Sequence, residues 1–142
     1  MSFDLQLANG DLVLTKGAIG LVHNKEKLIQ DILKTLFTSV GENKNHVWYG
    51  TPLLNKVVAN ILNSEILSTE IDIAISYGLK NLQTLQGMQE RDGQFVTPQE
   101  MLAKILSIEA QFDPADKRNL IVKVALRARS GDLITESFSV SP

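Results

Sequence analysis

No cysteine occurs among the 142 residues of this chain, and histidine, tryptophan and tyrosine are scarce: two, one and two. Without thiols there is no disulfide scaffold and no thiolate zinc site, which fits a reducing compartment. His23 and His46 alone exclude a histidine-rich metal site, so neither metal nor cofactor is expected. Charge of one sign is lacking too. The 14 basic and 16 acidic residues leave a net charge of −2, which gives no support to nucleic-acid or membrane-surface binding. The start, MSFDLQLANGD, lacks the basic and apolar parts of a signal peptide. No apolar run approaches the roughly 20 residues that span a bilayer. No internal repeat and no low-complexity segment is read. What is present is 44% hydrophobic residues in 142, enough for one domain over 1–142 with a sizeable core.

The most informative stretch is Asn24 to Gly50. Leu28, Ile29, Ile32, Leu33, Leu36 and Phe37 recur with a period near 3.6, which predicts an amphipathic helix over about 24–38. Lys25, Lys27, Gln30, Asp31 and Lys34 take the other side, and Asn24 is the expected N-cap. After the break Ser39-Val40-Gly41 comes a polar run ending in Val47-Trp48-Tyr49-Gly50. Two aromatics in a polar loop predict a loop tied onto the core.

Around this stretch, residues 3–15 read as a hairpin. Asn9-Gly10 suits a type I′ turn, with Leu7 facing Leu12 and Leu5 facing Leu14, and with Gln6 and Val13 on the opposite face. Ala18 to Val22 reads as a short extended segment. Thr51-Pro52 starts a helix over about 52–62, interrupted at Asn63-Ser64. A longer helix over about 68–90 carries the narrow seam Ile71, Ile75, Gly78, Leu82, Leu85, and intramolecular packing is its default use. Thr97-Pro98-Gln99-Glu100 is a capping box that predicts a short helix over about 98–107. Strands are expected over 108–112, 120–129 and 133–140. In the second of these, Leu120, Val122, Val124, Leu126 and Ala128 share one face. A three-residue loop, Ser130 to Asp132, with Gly131 left-handed, sets Val124 against Phe138, Val122 against Val140 and Ala128 against Ile134. The expected fold is α+β: N-terminal β-hairpin, central helical cluster and C-terminal antiparallel sheet.

Leu36-Phe37-Thr38, then Gly41-Glu42, a polar loop, Tyr49-Gly50 and a further apolar helix resemble the baseplate wedge family of contractile phage tails. That family is also called tail-lysozyme-like or sheath-initiator, and is similar to a component of the type VI secretion baseplate. The resemblance spans about Gly17 to Val140. The family often carries a Glu-Pro-Arg triplet before the final strands; this chain has Gln89-Glu90-Arg91 and Pro114 in that region. The resemblance implies a structural protein of the virion tail baseplate, assembled in the host cytoplasm in several copies around a sixfold axis. Its implied partners are the tail sheath protein, other wedge proteins, and tube or hub proteins. It further implies that this protein offers the first acceptor edge to sheath subunits that link by exchanging strands. A type VI secretion component, a peptidoglycan hydrolase and a small regulatory binding module remain alternatives.

A hydrolase needs two carboxylates facing each other across a cleft. Glu42 is the only acid in the motif and no second acid has a fixed spacing to it, so Glu42 reads as a ligand for backbone amides or for a basic partner that fixes the loop; it counts among the expected protein contacts, and no catalytic residue is assigned. Trp48 and Tyr49 read as core plugs or interface anchors. Lys123, Arg127 and Arg129 form a basic group on the last strands, suited to an acidic protein partner, and Phe138 completes the expected contact surface.

Overall fold

The structure, a computed structural model, describes residues 2–59 and 64–141. Residues 4–22 do not form one hairpin. They form three two-stranded arms: β1 (Asp4–Leu5) with β6 (Leu21–Val22), β2 (Leu7–Ala8) with β3 (Asp11–Leu12), and β4 (Leu14–Thr15) with β5 (Ala18–Ile19). Leu7 faces Leu12 as expected, but Leu5 faces Leu21 and Leu14 faces Ile19. The cause is an internal repeat of seven, contrary to the expectation of none. Asp4-Leu5-Gln6-Leu7-Ala8-Asn9-Gly10 is followed by Asp11-Leu12-Val13-Leu14-Thr15-Lys16-Gly17 and then by Ala18-Ile19-Gly20-Leu21-Val22-His23-Asn24. Each unit gives one half of two successive arms. Asn9-Gly10 and Lys16-Gly17 make the two turns, with positive φ at all four positions. The middle residues close a triangle of backbone bonds: Gln6 N–H to Gly20 O (2.8 Å), Gly20 N–H to Val13 O (2.8 Å) and Val13 N–H to Gln6 O (2.9 Å). The third arm has no turn because the chain enters and leaves through it.

A polar latch fixes this platform to α1 (Asn24–Phe37). Gln30 accepts from Leu7 N–H (2.9 Å) and donates to Leu5 O (2.8 Å) and Asp4 Oδ2 (2.9 Å). Lys34 binds both Asp4 and Asp31. Burial pulls the Asp4 carboxyl up, but hydrogen bonds from Lys34 and Gln30 outweigh it and hold the group below its ordinary value. Burial likewise pulls the Lys34 ammonium down, and its two carboxylate partners more than reverse that. Along α1, Leu28, Ile32 and Leu36 are fully buried, whereas Phe37 at the end of the same stripe is exposed. Lys27, expected on the solvent side, is buried and paired with Asp31 at 2.8 Å. Asn24 is not the N-cap; His23 takes that position. Asn24 has φ +51°, and its side-chain oxygen accepts from Thr97 Oγ (3.1 Å).

α2 (Leu53–Ala59) starts as expected, with Thr51 Oγ accepting from Leu53 N–H at 3.2 Å. Its expected end, Ile61, Leu62 and the Asn63 break, lies outside the described residues. α3 (Ser64–Arg91) begins four residues earlier than expected and ends at Arg91, with Gly93 left-handed just beyond. The seam is intramolecular: Ile71, Ile75 and Leu82 are buried in the core. Gly78 lets the loop end cross closely, since a Cβ there would lie 3.0 Å from Thr51 Cβ.

The capping box at Thr97 forms, but it holds only a single 3-10 turn, Pro98–Glu100. No helix follows over 98–107. Residues Leu102–Phe112 are strand β7. Two register shifts against β8 (Leu120–Ala128) explain the misleading period. Each shift inserts one extra residue, so Leu102, Ile105 and Ile108 reach the same face at steps of three, where a regular strand would step by two. β8 alternates as expected, with Leu120, Val122, Val124, Leu126 and Ala128 buried.

β9 (Leu133–Val140) pairs with β8 two residues away from the expected register. Val122 faces Phe138, Val124 faces Glu136, Leu126 faces Ile134 and Leu120 faces Val140. A shift of two keeps every side chain on its expected face. The loop keeps three residues but starts one earlier, at Arg129: Ala128 N–H bonds Asp132 O (3.0 Å) and Gly131 N–H bonds Ala128 O (3.0 Å), while Arg129 N–H bonds Met101 O (2.9 Å) and Ser130 N–H bonds Pro98 O (3.1 Å). Gly131 is left-handed, with φ +96°.

Candidate assembly surface

The sheet order β7-β8-β9 leaves two edge strands, β7 and β9, and they differ. β7 carries the two bulges and Lys104, devices that discourage an added strand. α3 also occupies its start. Gln83 Nε2 donates to Leu102 O (3.2 Å) and Ala103 O (3.0 Å). Gln86 donates to Glu100 O (2.8 Å) and accepts from Leu102 N–H (2.9 Å).

β9 has neither bulge nor lysine, and its one charge, Glu136, lies on the inward face. Its register runs unbroken from Leu120↔Val140 to Arg127↔Leu133, and Leu133–Val140 contains no proline, lysine or arginine. The bond from Ala128 N–H to Asp132 O (3.0 Å) sets the ladder's phase. Ile134, Glu136, Phe138 and Val140 bond toward β8. Thr135, Ser137 and Ser139 therefore turn their N–H and C=O groups outward along the free edge. The glutamines at 83 and 86, three apart on one helix face, were a sign of this difference between the edges that could have been read.

The cations expected here divide. Lys123 and Arg127 stand exposed on the outer sheet face beside Ser137 and Leu133, with no ion-pair partner among the described residues. Arg129 is bound to Glu90 (3.1 Å) and touches Met101 Sδ (3.2 Å). Phe138 is half-buried on the inward side, edge-to-face with Phe37 at 5.4 Å between centroids.

The loop 39–51 is laid onto α3, as its two aromatics predicted. Asn81 Nδ2 donates to Trp48 O (2.7 Å) and Gly50 O (3.3 Å), and Thr51 Oγ donates to Ala74 O (2.8 Å). Glu42 Oε2 accepts from Ser39 N–H at 3.0 Å in an exposed turn. Trp48 is half-buried against His46, with ring centroids 5.4 Å apart. Tyr49 is buried, and its hydroxyl bonds Thr35 Oγ at 2.7 Å. Burial pushes that phenol above its ordinary pKa, although the Thr35 bond pulls the other way. Only Trp48 of the pair presents surface. Tyr49→Phe is expected to lower stability by about 1 kcal/mol, measured by urea unfolding, because it removes the buried bond to Thr35 Oγ, which keeps its own bond to Asp31 O (2.7 Å). Thr35→Val in the same background should then cost little, and full additivity of the two would refute the coupling.

A cavity of about 640 Å³ between the platform and α1 has Glu26 as its one lining acid. A second, about 310 Å³, has Glu70, which Lys56 holds at 2.6 Å. No cluster of metal-ligating side chains occurs among the described residues, and none of their helices is long and apolar enough to cross a membrane.

No family model matches the chain, and no curated protein matches it. Among solved structures it is similar to the crystal structure of a candidate tail lysozyme from Geobacter sulfurreducens, with a TM-score of 0.49 and 16% identity over 92% of this chain and 96% of that one.

Proposed function

We propose that this protein is a non-catalytic assembly component of a contractile-tail baseplate, in which it starts the sheath by accepting a β-strand. The observation that carries the reading is the open β9 edge, unprotected where β7 is protected. An added strand gains main-chain hydrogen bonds along such an edge. Lys123 and Arg127 beside it favour an acidic partner and oppose stacking of like copies. The loop resemblance around Gly41-Glu42 and Tyr49-Gly50 supplies the setting. The partners are the sheath protein and neighbouring wedge, tube or hub proteins in a virion tail. Glu42 serves the turn at Ser39 and takes no part in hydrolysis.

Particles made without this protein, its gene deleted and its neighbours intact, test the reading by electron microscopy. Any tubes that form are expected to carry no sheath. Sheath of normal length on those tubes would overturn the proposal.

A further inference from the structure

Leu5, Leu7, Leu12, Leu14, Ile19 and Leu21 are exposed apolar residues of the three arms, and strand geometry arranges them as a ring that at Leu7 runs into the cavity against α1, beside Val22 and Ile29. Residues two apart on an extended segment share a face, which links Leu5 to Leu7, Leu12 to Leu14 and Ile19 to Leu21. Directly paired residues also share a face, which links Leu7 to Leu12, Leu14 to Ile19 and Leu21 to Leu5. All six are exposed, from 39% at Leu7 to 67% at Leu14. Phe3, two residues before Leu5 and 60% exposed, extends the ring. The same alternation sends Asp4 and Asp11 to the opposite face. Single exposed leucines are ordinary on a protein surface; a contiguous ring of them marks a contact.

We infer that this face is the contact between two copies of the chain, which meet ring to ring in a reversible dimer. Shape is the first reason. The seven-residue repeat makes three similar arms separated by three gaps. A second platform turned over and rotated by roughly 60° lays each arm into a gap, the self-complementary relation of a two-fold dimer. Charge is the second. None of the seven side chains is ionised, so the face meets its own copy without like-charge repulsion. Area is the third. Full burial of a leucine side chain removes on the order of 100 Å², and of a phenylalanine about 150–250 Å². At these exposures each copy offers roughly 400 Å² from its side chains, and two copies with their arm backbones approach about 1,000 Å². That is the lower limit for a specific interface, which suits a concentration-dependent dimer. The contact does not involve β9, so its failure would leave the strand-acceptor reading untouched.

Sedimentation of the purified full chain between about 10 μM and 1 mM is the test. The wild type is expected to move from monomer toward dimer mass across that range. Leu14→Glu with Ile19→Glu changes a directly paired, exposed couple of the ring and is expected to stay monomeric with an unchanged melting profile. Should that double variant fail to fold, Leu14→Gln alone is expected to weaken association at least about tenfold. Ile73→Glu, at a 60% exposed position on α3, is expected to dimerise like the wild type. A wild type monomeric at the top concentration overturns the inference. So does association that survives the ring substitutions, or that Ile73→Glu abolishes.

Discussion

Particles carrying Ser137→Pro are expected to form baseplates and tubes but almost no sheath, while the purified variant stays folded. Ser137 lies mid-way along β9, opposite Lys123, and its N–H points to the free edge. Proline removes that outward donor and sets a ring against an incoming strand, which is why it occurs naturally on edge strands. No bond to β8 is lost, so the stability change should stay within about 1 kcal/mol. Glu136→Pro, one residue earlier, makes the contrast. Its N–H belongs to the ladder with β8, and losing it leaves a carbonyl of β8 without its partner, which should cost about 1–3 kcal/mol. Deleting β9 would not separate these effects, because Ile134 and Val140 are 1% and 2% exposed and close the core. Sheath counts by electron microscopy beside thermal melts of the two variants decide the matter. Normal sheath on particles with folded Ser137→Pro would show that β9 accepts no strand.

Gly50→Ala is expected to lose about 3–5 kcal/mol of stability, a large share of the roughly 5–15 kcal/mol a domain has. Two costs combine. Gly50 has φ +107°, where a side chain is strained. An added Cβ would also lie 2.5 Å from Thr38 O and 3.1 Å from Ser39 O. Those are backbone atoms and cannot swing aside. Thr38 O accepts from Thr51 N–H (2.9 Å), and Ser39 bridges to Thr51, so any retreat breaks the joint between the end of α1 and the start of α2. Gly93→Ala isolates the strain. It has φ +79° but nothing within 4 Å of its would-be Cβ, so it should cost only about 1 kcal/mol. Urea unfolding of both variants measures the difference, and equal losses would refute the steric account.

Local chemistry in the sequence determined the elements whose cause lies within a few residues. The α1 stripe, the alternation of β8, the Asn9-Gly10 turn, the Thr97 capping box and the left-handed Gly131 each follow from side chains within one or two turns of chain. They were legible because period and turn preference are properties of neighbouring side chains. The loop motif was legible too, and Tyr49 and Trp48 were marked as anchors without a sign of which one is buried. Thr35 decided that by offering the Tyr49 hydroxyl a buried partner. The seven-residue repeat behind the three arms lies in the sequence itself, but tertiary structure decided how the arms close and how the later strands pair. Gly20 closes the triangle with Gln6 and Val13 through backbone groups that nearly every residue type carries, so no side chain announces the bond. The bulges of β7 turned a strand's period of two into steps of three that read as a helix. The last hairpin closed over Arg129–Gly131, one residue earlier than expected, which shifted its register by two. The open edge at β9 arose the same way: a backbone donor is free or covered according to what packs beside it, and that is set by segments distant in the chain.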